Sequence, residues 1–150
     1  MEVARLGVPP HVTILSPFLD TARLDAGVLA TLALIAAAQP PFKVEFARVR
    51  RWPGSEVGPG VVWLEPEPAA PFVALTRAVW AAFPDCPPYG RPGDELVAHL
   101  TIAIDNPARF DEAEAAAAPF LPFQRSAAWM SLLVEDEDGS YRTRRRLRLG

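Results

Sequence analysis

His11-Val12-Thr13-Ile14 and His99-Leu100-Thr101-Ile102 carry one four-residue pattern twice, and they use the only two histidines of the chain. Side chains of an extended segment alternate between two faces. Each histidine therefore shares a face with its threonine, while Val12 and Ile14, or Leu100 and Ile102, enter the other. Each segment is expected to bury one side in a core and to offer an imidazole and a hydroxyl on the opposite side. If those two sides meet, one cleft holds two groups that titrate near neutral pH and two hydroxyl donors. Two histidines that both carry Thr at +2 between apolar neighbours arise by chance on the order of once in 10⁴ sequences of this composition. The duplication makes the pattern informative; either histidine alone reads as an ordinary core or edge-strand residue.

The rest of the chain bounds what that cleft can belong to. Its 150 residues, 50% of them hydrophobic, suffice for one well-buried domain spanning 1–150 and are too few for two. A net charge of −3 excludes a general nucleic-acid coat, so any nucleic-acid contact is local. The single cysteine, Cys86, fits a reducing compartment. No stretch is apolar enough to span a bilayer, and MEVARLGVPP at the start holds no signal-peptide core. A soluble, cytoplasmic monomer is the expectation.

Around the motifs the hydrophobic pattern reads as mixed strands and helices. Val12 to Phe18 and Leu96 to Ile104 read as strands. Helical spacing marks Asp25 to Ala38, ended by Pro40-Pro41, and Pro71 to Phe83. Phe42 to Trp52 alternates like a half-buried strand with a possible bulge, and Val61 to Glu65 is a short apolar strand. Asn106-Pro107 is a helix start, leading into the alanine-rich run to Ala118. Trp129 to Glu135 and Tyr141 to Leu149 flank Asp136-Glu137-Asp138-Gly139 as a hairpin. Trp52 to Gly60 (WPGSEVGPG) is a connection, and Pro84 to Asp94 (PDCPPYGRPGD) is a long loop before the second motif.

The order His-motif strand, helix, Pro-Phe strand, strand occurs after both His11 and His99, with Pro41-Phe42 and Pro122-Phe123 as matching signatures. That suggests two pseudo-symmetric lobes in an α+β fold with antiparallel sheets. A strand and a helix also precede His99, whereas only ten residues precede His11. The first lobe is therefore expected to lack its N-terminal strand and helix.

Cleavage of a phosphodiester needs the set of groups the motifs supply. One neutral histidine takes a proton from the attacking water and one protonated histidine gives a proton to the departing oxygen. Hydroxyls hold the non-bridging phosphate oxygens. In the context Pro-Pro-His11-Val-Thr-Ile and Ala-His99-Leu-Thr-Ile-Ala, 88 positions apart (99 − 11), the pair resembles the two-histidine (2H) phosphoesterases, and most of all their bacterial 2′-5′ RNA ligase-like members. The similarity extends over most of the chain, through Trp63-Leu-Glu-Pro-Glu-Pro, Pro87-Pro-Tyr89-Gly90 and Leu147-Arg-Leu-Gly. It implies a bilobal, pseudo-two-fold α+β fold whose antiparallel sheets line a central cleft, with helices outside. It implies metal-free, cofactor-free cleavage of 2′,3′-cyclic phosphates or related phosphodiesters at RNA ends or in nucleotides, leaving a 2′-phosphate. Reversible 2′-5′ RNA ligation accompanies this in some members. The roles carry over onto His11, Thr13, His99 and Thr101; the alternative is a non-catalytic RNA or nucleotide binder of the same fold.

Other features have weaker claims. Tyr89 and Phe18 are candidates for stacking a base at the cleft rim, and Arg91 for a phosphate contact; ordinary loop and core roles are as well supported. Trp52, Trp63, Trp80 and Trp129 read as core. Arg142, Arg144, Arg146 and Arg148 share one strand face, either a phosphate-binding stripe or a charged edge that blocks strand addition. The neighbouring acids Glu135 to Asp138 tip that choice toward the edge. No metal-ligand spacing surrounds either histidine, and no glycine loop cradles a phosphate.

Overall fold

The computed structural model describes residues 8–55 and 58–150. The expectation of a strand and helix missing before His11 falls largely on residues 1–7, outside that range. Among the described residues the chain forms α1 (Ala26–Ala38), β1 (Phe42–Trp52), β2 (Gly60–Glu67), α2 (Ala70–Ala82), β3 (Leu100–Asp105), α3 (Phe110–Ala117), β4 (Phe123–Ala127), β5 (Trp129–Glu135) and β6 (Tyr141–Arg148). The architecture is α+β, as the pattern of elements implies. Four strands make one antiparallel sheet in the order β3-β2-β1-β4, and β5-β6 is a separate hairpin.

Local chemistry sets the element ends. Asp25 caps α1 by accepting the Val28 N–H at 2.9 Å. Asn106 accepts the Ala108 N–H at 3.0 Å, and Pro107 opens the 3₁₀ turn that runs into α3. The bulge expected in β1 lies at Ala47, where the register passes from Phe46↔Pro66 to Arg48↔Glu65.

Two apolar clusters hold the layers. Leu32 and Ala36 of α1, Leu75 and Val79 of α2, and Leu147 and Leu149 at the C-terminus form the first. Val44, Phe46, Leu64, Phe72 and Leu100 form the second, which packs α2 on the four-stranded sheet. Val12 and Ile102 pack against the second cluster, and Ile14 against both. The apolar half of each motif thus enters the core, as period two requires.

The structure departs from the sequence reading at three elements. The four-stranded sheet draws strands from both repeat units, since β1 pairs with β4 and β2 with β3. The second motif strand begins at Leu100, so Leu96 to His99 is irregular chain leading into it. Val12 to Phe18 is no strand: among the described residues its only sheet-like contact is a single antiparallel bridge, Val12↔Leu100. Pro17 has no N–H to extend a ladder.

Isolated hydrogen bonds hold this first motif segment instead. The Thr76 hydroxyl, buried on α2, donates to the Ile14 carbonyl at 2.6 Å, and the Tyr89 N–H donates to the Ser16 carbonyl at 2.6 Å. A hydroxyl has one proton. The Ile14 carbonyl, closer than Phe72's at 3.2 Å, takes most of it. Thr76→Val leaves that carbonyl without its donor, so about 1–3 kcal/mol of stability should be lost, with Thr76→Ser retaining most of it. Urea unfolding midpoints check this; a Thr76→Val protein as stable as the parent would show that the bond does not hold the segment.

Candidate active site

The Val12↔Leu100 bridge decides how the motifs meet. In an antiparallel pairing of positions 12 and 100, His11 comes opposite Thr101 and Thr13 comes opposite His99. Opposed residues have Cβ atoms about 5 Å apart and diagonal ones about 7–8 Å. Carried one residue either way from the bridge, that register sets each histidine across from the other motif's threonine and the two histidines on a diagonal. The local two-fold axis runs through the bridge. The motifs lie side by side; they do not confront one another across two separate sheets.

Both imidazoles are oriented alike. His11 Nδ1 lies 2.8 Å from the Pro9 carbonyl, and His99 Nδ1 lies 2.8 Å from the Val97 carbonyl. A carbonyl only accepts, so Nδ1 carries the hydrogen in each ring and Nε2 is left for chemistry. The same i to i−2 bond in both motifs is the two-fold repeat expressed at the level of single atoms.

Their surroundings differ. His11 is exposed, whereas His99 is partly buried among aromatic rings. Trp52 meets the His99 ring edge-on at 4.6 Å between centroids, Trp63 at 5.9 Å, and Tyr89 lies tilted at 6.2 Å. Burial lowers the His99 pKa below the ordinary imidazole value; the Val97 carbonyl opposes that shift, and the nearby charge of His11 adds to it. Burial raises the Tyr89 pKa, while a hydrogen bond with the Thr13 hydroxyl works the other way.

Tyr89 therefore links the two motif segments: its ring lies by His99 and its N–H holds Ser16. Its backbone sits at φ +54°, followed by Gly90 at +68°. For a residue with a Cβ the left-handed region costs on the order of 1–2 kcal/mol. The loop tolerates that conformation where it sets Tyr89 over the site. The other two candidates lie elsewhere in their surroundings. Arg91 is exposed and pairs with Asp94 at 3.2 Å. Phe18 packs edge-on to Phe83 at 5.0 Å and lies against the first core cluster, so its ring is engaged in packing.

The residues that sequence reasoning assigned to the core, Trp52 and Trp63, form the wall beside His99. Trp63 is the register partner of Thr101 on one side and of Arg50 on the other, so all three share the sheet face that carries the motif hydroxyl. Arg50 is held there by Glu65 at 2.9 Å. The buried Trp63 Nε1–H has no hydrogen-bond partner among the described residues. Pattern could not single Trp63 out, because Val61 to Leu64 is apolar throughout and shows no alternation.

Among the described residues no three or more His, Cys, Asp or Glu side chains gather as a metal site, and no helix is long and apolar enough to cross a membrane. None of the curated proteins matches this chain. The family model of the 2′-5′ RNA ligase superfamily matches residues 3–139 and so takes in both motifs, the aromatic wall and β5, ending before β6. With a two-histidine site on an α+β fold behind that match, the chain belongs to the 2′-5′ RNA ligase superfamily, that is, to the 2H phosphoesterases.

Proposed function

We propose that the protein is a metal-independent phosphodiesterase that opens 2′,3′-cyclic phosphates at RNA ends or in nucleotides. The observation that carries this reading is the matched pair of imidazoles on two bridged segments, each with Nδ1 bonded to a carbonyl so that Nε2 is left for chemistry. His99 is the base. Its lowered pKa keeps Nε2 unprotonated, and it takes a proton from water as the water oxygen attacks phosphorus. His11, exposed where water solvates an imidazolium, donates its Nε2 proton to the 3′-oxygen as the P–O3′ bond breaks. The product is a 2′-phosphate with a free 3′-hydroxyl. Thr13 and Thr101 donate to the non-bridging oxygens and hold the phosphorus in line with the attacking water. The same sequence, with a ribose 5′-hydroxyl in place of water as the nucleophile, is a 2′-5′ ligation, and its reverse cleaves a 2′-5′ linkage. A cytoplasmic setting fits the single half-buried Cys86 thiol.

Hydrolysis of nucleoside 2′,3′-cyclic phosphates in EDTA tests the assignment. Turnover should persist in chelator, and His11→Ala or His99→Ala should each lower kcat by about 10²–10⁴-fold. The double variant should fall little further, because the two groups act as a unit. If the parent and the double variant turn over equally slowly, the reading fails; binding of a nucleoside 2′-phosphate without turnover would assign the chain as a binder.

The pH dependence tests the roles. With His99 as base, the acid limb of kcat/KM should lie below about pH 6.5, the ordinary imidazole value. Trp52→Ala admits water to the ring and should move that limb upward toward this value, with the NMR titration of His99 moving in parallel. A limb that stays fixed while the His99 titration moves would assign the base to His11.

A further inference from the structure

We propose that the outward face of the β5-β6 hairpin, centred on Trp129, is a binding track for the single-stranded RNA that carries the reacting end. Trp129 is 47% exposed, far from the core role its composition suggests. Arg148 is its register partner, and the Arg146 and Arg148 guanidinium carbons lie over its ring at 4.5 and 5.9 Å from the centroid. Among the described residues no acid pairs with Arg144, Arg145, Arg146 or Arg148. In a chain of net charge −3, that concentrates positive charge in one short stretch.

The hairpin's register separates this patch from the acids that should offset it. The ladder skips Arg144, passing from Leu132↔Arg145 to Leu133↔Thr143, so the four alternate arginines do not form one stripe. Arg142 is drawn to the turn, where Asp136 binds it at 2.9 Å. From Glu135 back to Trp129 is six residues, about 20 Å along the strand. That is twice the screening length of about 8–10 Å near physiological salt, so the acidic turn does not neutralise the far end. Protection of a sheet edge accounts for the arginines and leaves the exposed indole unexplained, since a bare Trp invites association.

Met130, Leu132, Leu147 and Leu149 turn inward to the cluster under α1, and Ile14 packs against that same cluster. Trp129, Ser131, Arg146 and Arg148 alternate with these residues and so occupy the opposite face of the hairpin. Indole and guanidinium planes stack unpaired bases, and the guanidinium charges meet phosphates. A duplex or an acidic peptide would use the charge and leave the indole idle.

The track's location is independent of catalysis; only what happens at the strand's 3′ end rests on the phosphodiesterase reading. The test is fluorescence anisotropy of a short labelled single-stranded RNA ending in a 2′-phosphate, with the parent and a Trp129→Ala/Arg146→Ala/Arg148→Ala variant. Kd should rise at least about tenfold, and the slope of log K against log salt should become shallower by about 1.4, for two lost phosphate contacts. Turnover of a nucleoside cyclic phosphate should be unchanged, while KM for an oligonucleotide with a cyclic-phosphate end rises. Arg146→Gln/Arg148→Gln, which keeps the indole, serves if the triple variant does not fold, and should show the same change in salt slope. Unchanged Kd and slope overturn the track, as does equally tight, competing binding of polyglutamate. If the parent binds RNA through these residues yet turns over neither substrate, the phosphodiesterase reading fails and the track stands. If both substrates turn over and the variant loses neither, the reverse holds.

Discussion

One backbone contact, the antiparallel bridge between Val12 and Leu100, fixes the relation of the two motifs on which the site depends. Leu100 is at once the first residue of β3, the register partner of Leu64 and a buried member of the second core cluster. A residue so constrained cannot slip by one position without turning its neighbours onto the wrong face. His99 and Thr101 inherit their direction from it, and through the bridge so do His11 and Thr13. The chemistry is therefore anchored in an apolar residue that takes no part in it.

The cost of this arrangement falls on the first motif. A segment with one bridge lacks the repeated ladder bonds that hold a central strand. Here a buried hydroxyl on α2 and a single amide on the loop before β3 supply point contacts in their place. The amide belongs to Tyr89, so the residue that steadies the first motif also stands beside the histidine of the second. Local stability and site assembly are consequently coupled: loosening the loop at Tyr89 releases Ser16 and withdraws the ring from His99 together.

How much of this was legible in the sequence follows from how each feature is encoded. The helices and their caps were readable because Asp25, Asn106 and Pro107 act on neighbours three or fewer residues away. The two-faced motifs were readable because period two is a local rule. Three features depended on distant partners and left no local trace. The first motif reads as a strand from Val12 onward, yet strand formation needs a neighbour as well as β-branched residues. Trp63 sits in an apolar run, so only its pairing with Thr101 reveals which way it faces. The bulge at Arg144 breaks an alternation that looked unbroken, and nothing in that run of arginines marks where the skip occurs.

The last of these steps concerns symmetry. Two copies of one motif, each with the same Nδ1–carbonyl bond, would by themselves give two equivalent imidazoles, and equivalent groups have no reason to divide the labour of acid and base. The surroundings break the tie. Trp52, Trp63 and Tyr89 gather about His99 alone, because β1, β2 and the loop before β3 all lie on that side of the bridge. Withdrawal of water from the His99 ring lowers its proton affinity, and the proposed role of that ring as base rests on this. The repeat supplies the pair, and in the proposed mechanism the departure from the repeat supplies the direction of proton flow.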